Sequence, residues 1–365
     1  MRVVHLASGD LWAGAEVQLF ELCRAMQQID GLEVRVILLN EGLLAERLRD
    51  VSIDVKVIPE SQLSGLDIVR RLIRLLKATM PDVVHTHRQK ENVLGSIAAT
   101  IAGARVGVRT VHGAPEFSNR GLRRKLNHAL DRWTARWLQH AMIMVTTELA
   151  EKMAGVYPIR KVRVIENGIA PTAPGRASTN QFRVDGKINV CLAGRLVDVK
   201  RPDIFLGIAR EAKRAEDRRF HFHVFGDGPL SEALDEQIRR DGTGDIVSRW
   251  GFVDGLAAAL AEMDALAMTS NHEGLPMVML EAMAARVAVL AHAVGGMPDV
   301  LDEGAAGLLV NEHTADAFYR ALTSLADPND RLALAECAYR RFAERYTAEG
   351  CAARTVALYR ELTAH

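Results

Sequence analysis

The chain has only four cysteines in 365 residues. Cys23, Cys191, Cys337 and Cys351 lie far apart and form no CxxC pair, and three of them sit in helix or strand patterns beside apolar neighbours. Free, buried thiols are therefore expected rather than a cysteine-based metal site. No run of about 18 uncharged apolar residues occurs, so no membrane-crossing helix is expected. Met1-Arg2-Val3-Val4-His5-Leu6 passes directly into a strand pattern with no apolar leader, which points to the cytosol. The first strand is not followed by G-x-G-x-x-G: Gly9-Asp10-Leu11-Trp12-Ala13-Gly14 does not supply it, which argues against a nicotinamide-dependent oxidoreductase. There is no Asp-x-Asp pair. The formal net charge is zero, and neither a helix-turn-helix nor an aromatic stacking platform is present, so nucleic acid is not an expected partner.

The zero net charge hides an asymmetry. Residues 1–170 carry 24 Lys and Arg against 18 Asp and Glu, and the remainder 22 against 28, so the first half is basic and the second acidic. A chain of this length exceeds one ordinary core, and two domains are expected. Apolar strand patterns at residues 3–6, 34–39, 55–58, 83–85, 106–111, 142–145 and 162–165 alternate with helical ones, the rhythm of a doubly wound parallel sheet. Gly168-Ile169-Ala170-Pro171-Thr172 and the small polar residues after it have linker composition. The rhythm restarts at Ile188, with strands at 221–225, 246–248, 265–268, 288–291 and 307–310. The division is 1–167, a linker at 168–187, 188–345, and a final helical segment 346–365, for which packing back on the first domain is an option.

In the second half, Ser270-Asn271-His272-Glu273-Gly274-Leu275-Pro276-Met277-Val278-Met279-Leu280-Glu281 sets a carboxylate at each end of a loop-to-helix passage. Pro276 suits a first helical position. Glu273 then precedes the helix and Glu281 lies about one and a half turns inside it. The amides of Gly274, Leu275, Met277 and Val278 gather at the positive helix end, which suits an anion. Such a frame fits a nucleotide sugar: one carboxylate for the sugar, one for the ribose, and amides for the diphosphate. Arg195 and Lys200 follow the apolar run Ile188–Ala193, placing a guanidinium and an ammonium where both reach one diphosphate. Gly226, and Gly251 with Phe252, end two further strands at turns where a base or phosphate can approach the backbone.

These motifs, with Gly14-Ala15-Glu16, Gly295-Gly296, Pro298-Asp299-Val300 and Gly307-Leu308-Leu309-Val310, resemble glycosyltransferase family 4 over nearly the whole chain. The resemblance implies an α/β GT-B fold, two Rossmann-like parallel-sheet domains facing a central cleft. It also implies a retaining, metal-independent transferase using a nucleotide diphosphate sugar, UDP- or GDP-linked, with no cofactor. It assigns the diphosphate to Arg195 and Lys200, the ribose to Glu281, and the donor sugar to Glu273 and to His112 in Arg109-Thr110-Val111-His112-Gly113. Gly14 lets backbone approach the phosphate or acceptor, although Ala13 stands where the family usually has another glycine. Glu16 reads equally well as a first-turn carboxylate favoured by the helix dipole. The expected acceptor is a glycan or a lipid-linked acceptor in cell-surface polysaccharide, lipopolysaccharide or glycolipid synthesis. A non-catalytic sugar-nucleotide-binding subunit is the alternative.

His85-Thr86-His87-Arg88 follows another strand. Its His-x-His invites zinc, but no further ligand stands at metal-site spacing, so no metal is expected and His87 and Arg88 are assigned to the acceptor. In Ser118–His140, Leu122, Leu126, Leu130, Trp133 and Trp137 recur at helical intervals among Arg123, Arg124, Lys125, Arg132 and Arg136. With Arg70, Arg71, Arg74 and Lys77, this suits an anionic membrane surface and a peripheral location; packing of the apolar stripe on the core is the other reading.

Overall fold

A computed structural model describes residues 1–113, 122–171 and 180–364, with residues 122–125 described by backbone alone. The chain forms two compact units, Met1–Ile169 with Ala348–His365, and Ala170–Thr347.

The first unit holds β1 (Arg2–Ala7), β2 (Glu33–Leu38), β3 (Asp54–Val57), β4 (Val83–Thr86), β5 (Val106–Val111), β6 (Ala141–Met144) and β7 (Val162–Val164). They form one sheet in the order β3-β2-β1-β4-β5-β6-β7, every pair parallel. A parallel sheet is covered on both faces, so its central strands need apolar side chains on both sides. β4 and β6 are accordingly buried at every residue. The Gly65–Thr79 helix shows how the cover is made. Ser64 caps it by accepting the Asp67 N–H at 3.2 Å, and Ile68, Leu72 and Leu76 point at the sheet. Arg70, Arg71, Arg74 and Lys77 remain exposed on its other side. On the opposite face lies the Ala348–Thr363 helix, whose Cys351, Ala352, Val356 and Tyr359 join Val3, Val83 and Val108 in one core cluster. Its start is tied to the end of the unit's first segment by the Ala348 N–H, which donates to the Ile169 carbonyl at 2.8 Å.

The second unit repeats the plan with β8 (Ile188–Ala193), β9 (Phe220–Phe225), β10 (Val247–Gly251), β11 (Ala265–Met268), β12 (Ala288–His292) and β13 (Leu308–Val310), ordered β10-β9-β8-β11-β12-β13 and parallel. Of the expected linker 168–187, residues 172–179 lie outside the described residues. Its last part is no tether: Phe182 is buried edge-on against Phe225 and Trp250, and its N–H donates to Glu262 Oε2 at 2.7 Å. An apolar aromatic in a run of small polar residues finds a core to enter. Cys23, Cys191 and Cys351 are buried, Cys337 is half-buried, and all four are free.

In each sheet the strand order reverses beside the first strand, between β1 and β4 and between β8 and β11. The crevice outside the strand C-termini at such a reversal is where open parallel sheets take their ligands.

Candidate active site

In the second unit the reversal point collects the charged residues. Gly194, Arg195 and Lys200 follow β8 and Thr269, Ser270 and Glu273 follow β11, and all but Glu273 line one small crevice with Leu192, Ala193, Ala267 and Met268. The two loops are bolted together. Thr269 Oγ1 donates to the carbonyls of Lys200 and Arg201 at 3.0 and 2.9 Å, and the Asn271 N–H to Val199 at 2.8 Å. Lys200 Nζ and Glu273 Oε1 form an ion pair, and Ser270 Oγ donates to the same Oε1 at 2.7 Å. Two stacked imidazoles hold the loop from the far side: His292 Nδ1 meets the Ser270 carbonyl and His313 Nε2 the Thr269 carbonyl. Arg195 is exposed and has no ion-pair partner among the described residues.

Glu273 is further fixed through its backbone, since Gly296 N–H donates to its carbonyl at 3.3 Å and a Cβ on Gly295 would overlap that oxygen. Gly295, at φ +62°, is glycine for both reasons. The helix after this loop is Met277–Ala284, so Pro276 is its N-cap, with ψ 124°, rather than its first residue. The helix still presents the first-turn amides of Met277 and Val278 without intrahelical acceptors, as any helix start does. Leu275 and Met277 are buried, Gly274, Val278 and Glu281 half-buried.

The reason for two predicted glycines changes. A Cβ on Gly226, at φ +116°, would overlap the Gly194 carbonyl oxygen, and the Gly226 N–H donates to Gly251 at 2.6 Å. What approaches Gly226 is therefore protein backbone. Gly251 takes φ +66°, and the next N–H, that of Phe252, donates to Asp227 Oδ2 at 2.7 Å, leaving the Phe252 ring 54% exposed.

The first unit places a cluster of imidazoles at its reversal point, beside the Arg88–Glu16 ion pair. His5 on β1, His85 and His87 on and after β4, and His112 after β5 come together on these three neighbouring central strands. His5 Nδ1 and His87 Nε2 are 2.9 Å apart, His87 Nδ1 and His112 Nε2 3.4 Å. His85 is held by Tyr359 Oη at 2.5 Å and Thr110 Oγ1 at 2.7 Å. Burial drives all four below the ordinary imidazole value, His5 to about 3 and His112 to about 4, the latter helped by the Arg88 charge. They are neutral at pH 7. His87 is 3% exposed, which corrects its assignment to the acceptor: both ring nitrogens face other histidines. Arg88 turns to Glu16 at 2.5 Å and Asp10 at 3.6 Å, so its charge serves first to compensate a buried carboxylate. Burial raises the Glu16 pKa and Arg88 opposes it. Glu16 is thus more than a first-turn charge. Gly14 opens the Gly14–Met26 helix, exposed and with no side-chain cap on Ala13 before it.

His-x-His had no third ligand by spacing. The fold supplies one, since β1 pairs with β4 and places His5 opposite His85; one ligand atom from each of His5, His85 and His87 falls within 4.8 Å of the others. His5 and Ser270 were the residues missed. The available signals were a histidine inside the apolar run Val3-Val4-His5-Leu6 and a hydroxyl three residues before Glu273.

The helix expected within Ser118–His140 is Leu122–Trp137; residues 118–121 and the side chains of Leu122, Arg123, Arg124 and Lys125 lie outside what is described. Its inner face is polar. Fully buried Arg109 bonds Asp131 Oδ1 at 2.7 Å and Thr134 Oγ1 at 3.0 Å, and Tyr157 Oη donates to Asp131 at 3.0 Å. With Asp131, Thr134 and Ala135 turned inward, the described stripe is left outside: Leu126 is 59%, Leu130 38%, Trp133 49% and Trp137 65% exposed. Packing of those four on the core is excluded. No helix among the described residues is long and apolar enough to cross a membrane.

Comparison with known proteins agrees with this layout. Residues 12–173 match the model described as Glycosyltransferase Family 4, and residues 187–327 that described as Glycosyl transferases group 1. The UDP-Gal:alpha-D-GlcNAc-diphosphoundecaprenol alpha-1,3-galactosyltransferase of Escherichia coli is 26% identical over 90% of this chain and 88% of its own. A D-inositol 3-phosphate glycosyltransferase of Kribbella flavida is 28% identical over 77% and 72%. Among solved structures, Anabaena HepE in complex with UDP-glucose superimposes with a TM-score of 0.85 at 20% identity, covering 99% of this chain and all of that one. The chain belongs to the family 4 glycosyltransferases and has the GT-B fold.

Proposed function

We propose that this glycosyltransferase moves a sugar from a UDP-sugar to a lipid-linked glycan acceptor in cell-surface polysaccharide or glycolipid synthesis, retaining the anomeric configuration and using no metal. The observation that carries the reading is the meeting of Arg195 and the Ser270–Glu273–Lys200 chain at the β8/β11 reversal. Breaking the bond between the anomeric carbon and the phosphate oxygen leaves an oxocarbenium-like sugar and adds negative charge to the diphosphate. Cations fixed before that charge grows lower the barrier. Glu273, itself held by Ser270, orders the Lys200 ammonium ahead of the reaction, and Arg195 supplies the second positive group. Glu281 is assigned to the ribose and Glu273 to the donor sugar. These two cations take the place a divalent ion fills in metal-dependent transferases, which is the basis for expecting activity in chelator.

The choice of UDP and of a lipid-linked acceptor follows the Escherichia coli relative, whose name specifies both, and HepE, crystallised with UDP-glucose. The outward Leu126, Leu130, Trp133 and Trp137, flanked by exposed Arg132 and Arg136, suit a cytoplasmic protein docking on an anionic bilayer that presents such an acceptor. The test is UDP release from UDP-galactose, UDP-glucose and UDP-N-acetylglucosamine, with and without polyprenyl-diphosphate glycans, in the presence of EDTA, with the product anomer followed by NMR. Acceptor-stimulated, chelator-resistant release with retention is expected. UDP-sugar binding without turnover on any acceptor would favour the non-catalytic subunit, and an inverted first product would refute retention.

A further inference from the structure

The histidines of the first unit form a directed chain, and its direction follows from one buried atom. A neutral imidazole has one N–H and one bare nitrogen, so each link of His5 Nδ1, His87 Nε2, His87 Nδ1 and His112 Nε2 has a donor and an acceptor. Only two polarities are consistent along the chain. If His112 donated from Nε2, His87 would donate from Nε2 and His5 would accept at Nδ1, carrying its hydrogen on Nε2. His5 is fully buried and its Nε2 has no hydrogen-bond partner, so that polarity strands a buried N–H. Orphaned buried donors are rarer and costlier than bare acceptors. The opposite polarity leaves only a lone pair at His5 Nε2: His5 Nδ1–H donates to His87 Nε2, His87 Nδ1–H donates to His112 Nε2, and His112 carries its hydrogen on Nδ1.

A metal shared by His5, His85 and His87 competes for the same atoms. His85 already has both nitrogens engaged, with Tyr359 and Thr110, and would have to surrender one of those bonds to act as a ligand. His85 stacks on His87 with ring centroids 4.4 Å apart and 25° between planes, while His5, His87 and His112 meet edge to edge through their nitrogens, at centroid separations of 5.2 and 5.6 Å.

We propose that His5 and His87 are positioning residues that lock His112 as the Nδ1–H tautomer, so that His112 acts on the sugar substrate as a hydrogen-bond donor to an oxygen and not as a base. This deepens the transferase reading and rests on it for the identity of the substrate. The tautomer itself does not. The test is a two-bond proton–nitrogen correlation spectrum of the full chain labelled with ¹⁵N-histidine at pH 7.5, assigned by His5→Asn, His87→Gln and His112→Gln. Nδ1–H signatures for His5, His87 and His112 are expected, whether or not a transfer assay has been found. An Nε2–H signature or an imidazolium at His112 overturns the proposal, as does one equivalent of zinc retained by the purified protein with loss of the His5 and His87 N–H signals. Where transfer is measurable, His5→Leu lowers kcat about tenfold with the donor KM within about twofold. His5→Asn, whose amide nitrogen stands near the position of Nδ1, recovers most of that loss. Equal kcat values for His5→Leu and His5→Asn, with both variants folded by circular dichroism, would contradict the positioning role.

Discussion

The two units share a strand order and a reversal point but fill that point with opposite chemistry. Between β8 and β11 stand an exposed guanidinium and an ordered ammonium–carboxylate pair; between β1 and β4 stands a cluster of imidazoles kept neutral by burial, its neighbouring guanidinium, Arg88, engaged by Glu16 and Asp10. The backbone decides where a ligand sits, and the side chains decide which part of the ligand is met. On the proposed reading the charged point meets the diphosphate and the neutral cluster meets the hydroxyl-rich sugar. The same contrast holds for rigidity. The charged loops are tied by close backbone approaches at Gly226, Gly251 and Gly295 as well as by Thr269, His292 and His313, while of the histidines only His85 is anchored outside the cluster among the described residues, by Thr110 and Tyr359.

Substitutions in the second unit should produce the largest effects. Arg195→Ala and Lys200→Ala should each lower kcat about 100-fold or more, the scale of removing one preorganised partner of a developing charge. Steady-state kinetics on donor cleavage measure this, and an unchanged turnover number in both variants would remove the leaving-group role. Glu281→Ala should behave differently. Ribose contacts exist equally in ground and transition states, so the donor KM should rise about tenfold with kcat little changed; a fall in kcat of the same size would place Glu281 in the chemistry.

A smaller effect concerns the outer face of the first unit. Wild type should co-sediment with phosphatidylglycerol vesicles at low salt and leave them at high salt, since each basic residue close to the surface adds about 1 kcal/mol before screening. Trp133→Ser with Trp137→Ser should reduce bound protein about fivefold. Equal recovery of wild type and variant would remove the membrane contact.

The smallest expected effect is on acid stability. His5 has a folded pKa of about 3 against an ordinary 6.5, so the unfolded chain binds the extra proton in between and stability falls as pH drops through that window. Glu16 and Glu91, whose pKa values burial raises, act in the opposite sense, so the informative quantity is a difference. Relative to wild type, His5→Leu should gain a few degrees in thermal midpoint between pH 7.5 and pH 4.5. A constant offset between the two proteins would mean that His5 is not buried neutral.

Local pattern was enough to find both sheets. Runs such as Val83-Val84-His85 and Ala265-Leu266-Ala267-Met268 are short, apolar and bounded by turns, and they are strands in the structure. The charged site was legible for the same reason: Arg195, Lys200 and Glu273 each follow a strand end. What spacing could not show was anything created by pairing. His5 and His85 are eighty residues apart and meet only because β1 and β4 are neighbours. Phe182 gave no signal of burial within a polar run, and Pro276 lies one residue outside the helix it was expected to begin, a boundary set by its own ψ. The helix Leu122–Trp137 is the instructive reversal. Apolar periodicity normally marks the inner face, but a buried Arg109–Asp131 pair claims that side and turns the tryptophans out.

The central claim is that the β8/β11 reversal binds a nucleotide through its diphosphate. Isothermal titration of UDP and of uridine into wild type and Arg195→Ala tests it without any acceptor. The account predicts that Arg195→Ala weakens UDP at least about tenfold, equivalent to about 1.4 kcal/mol, while uridine changes by less than about twofold. Equal affinities of wild type and variant for UDP, or an equal loss for both ligands, would contradict it.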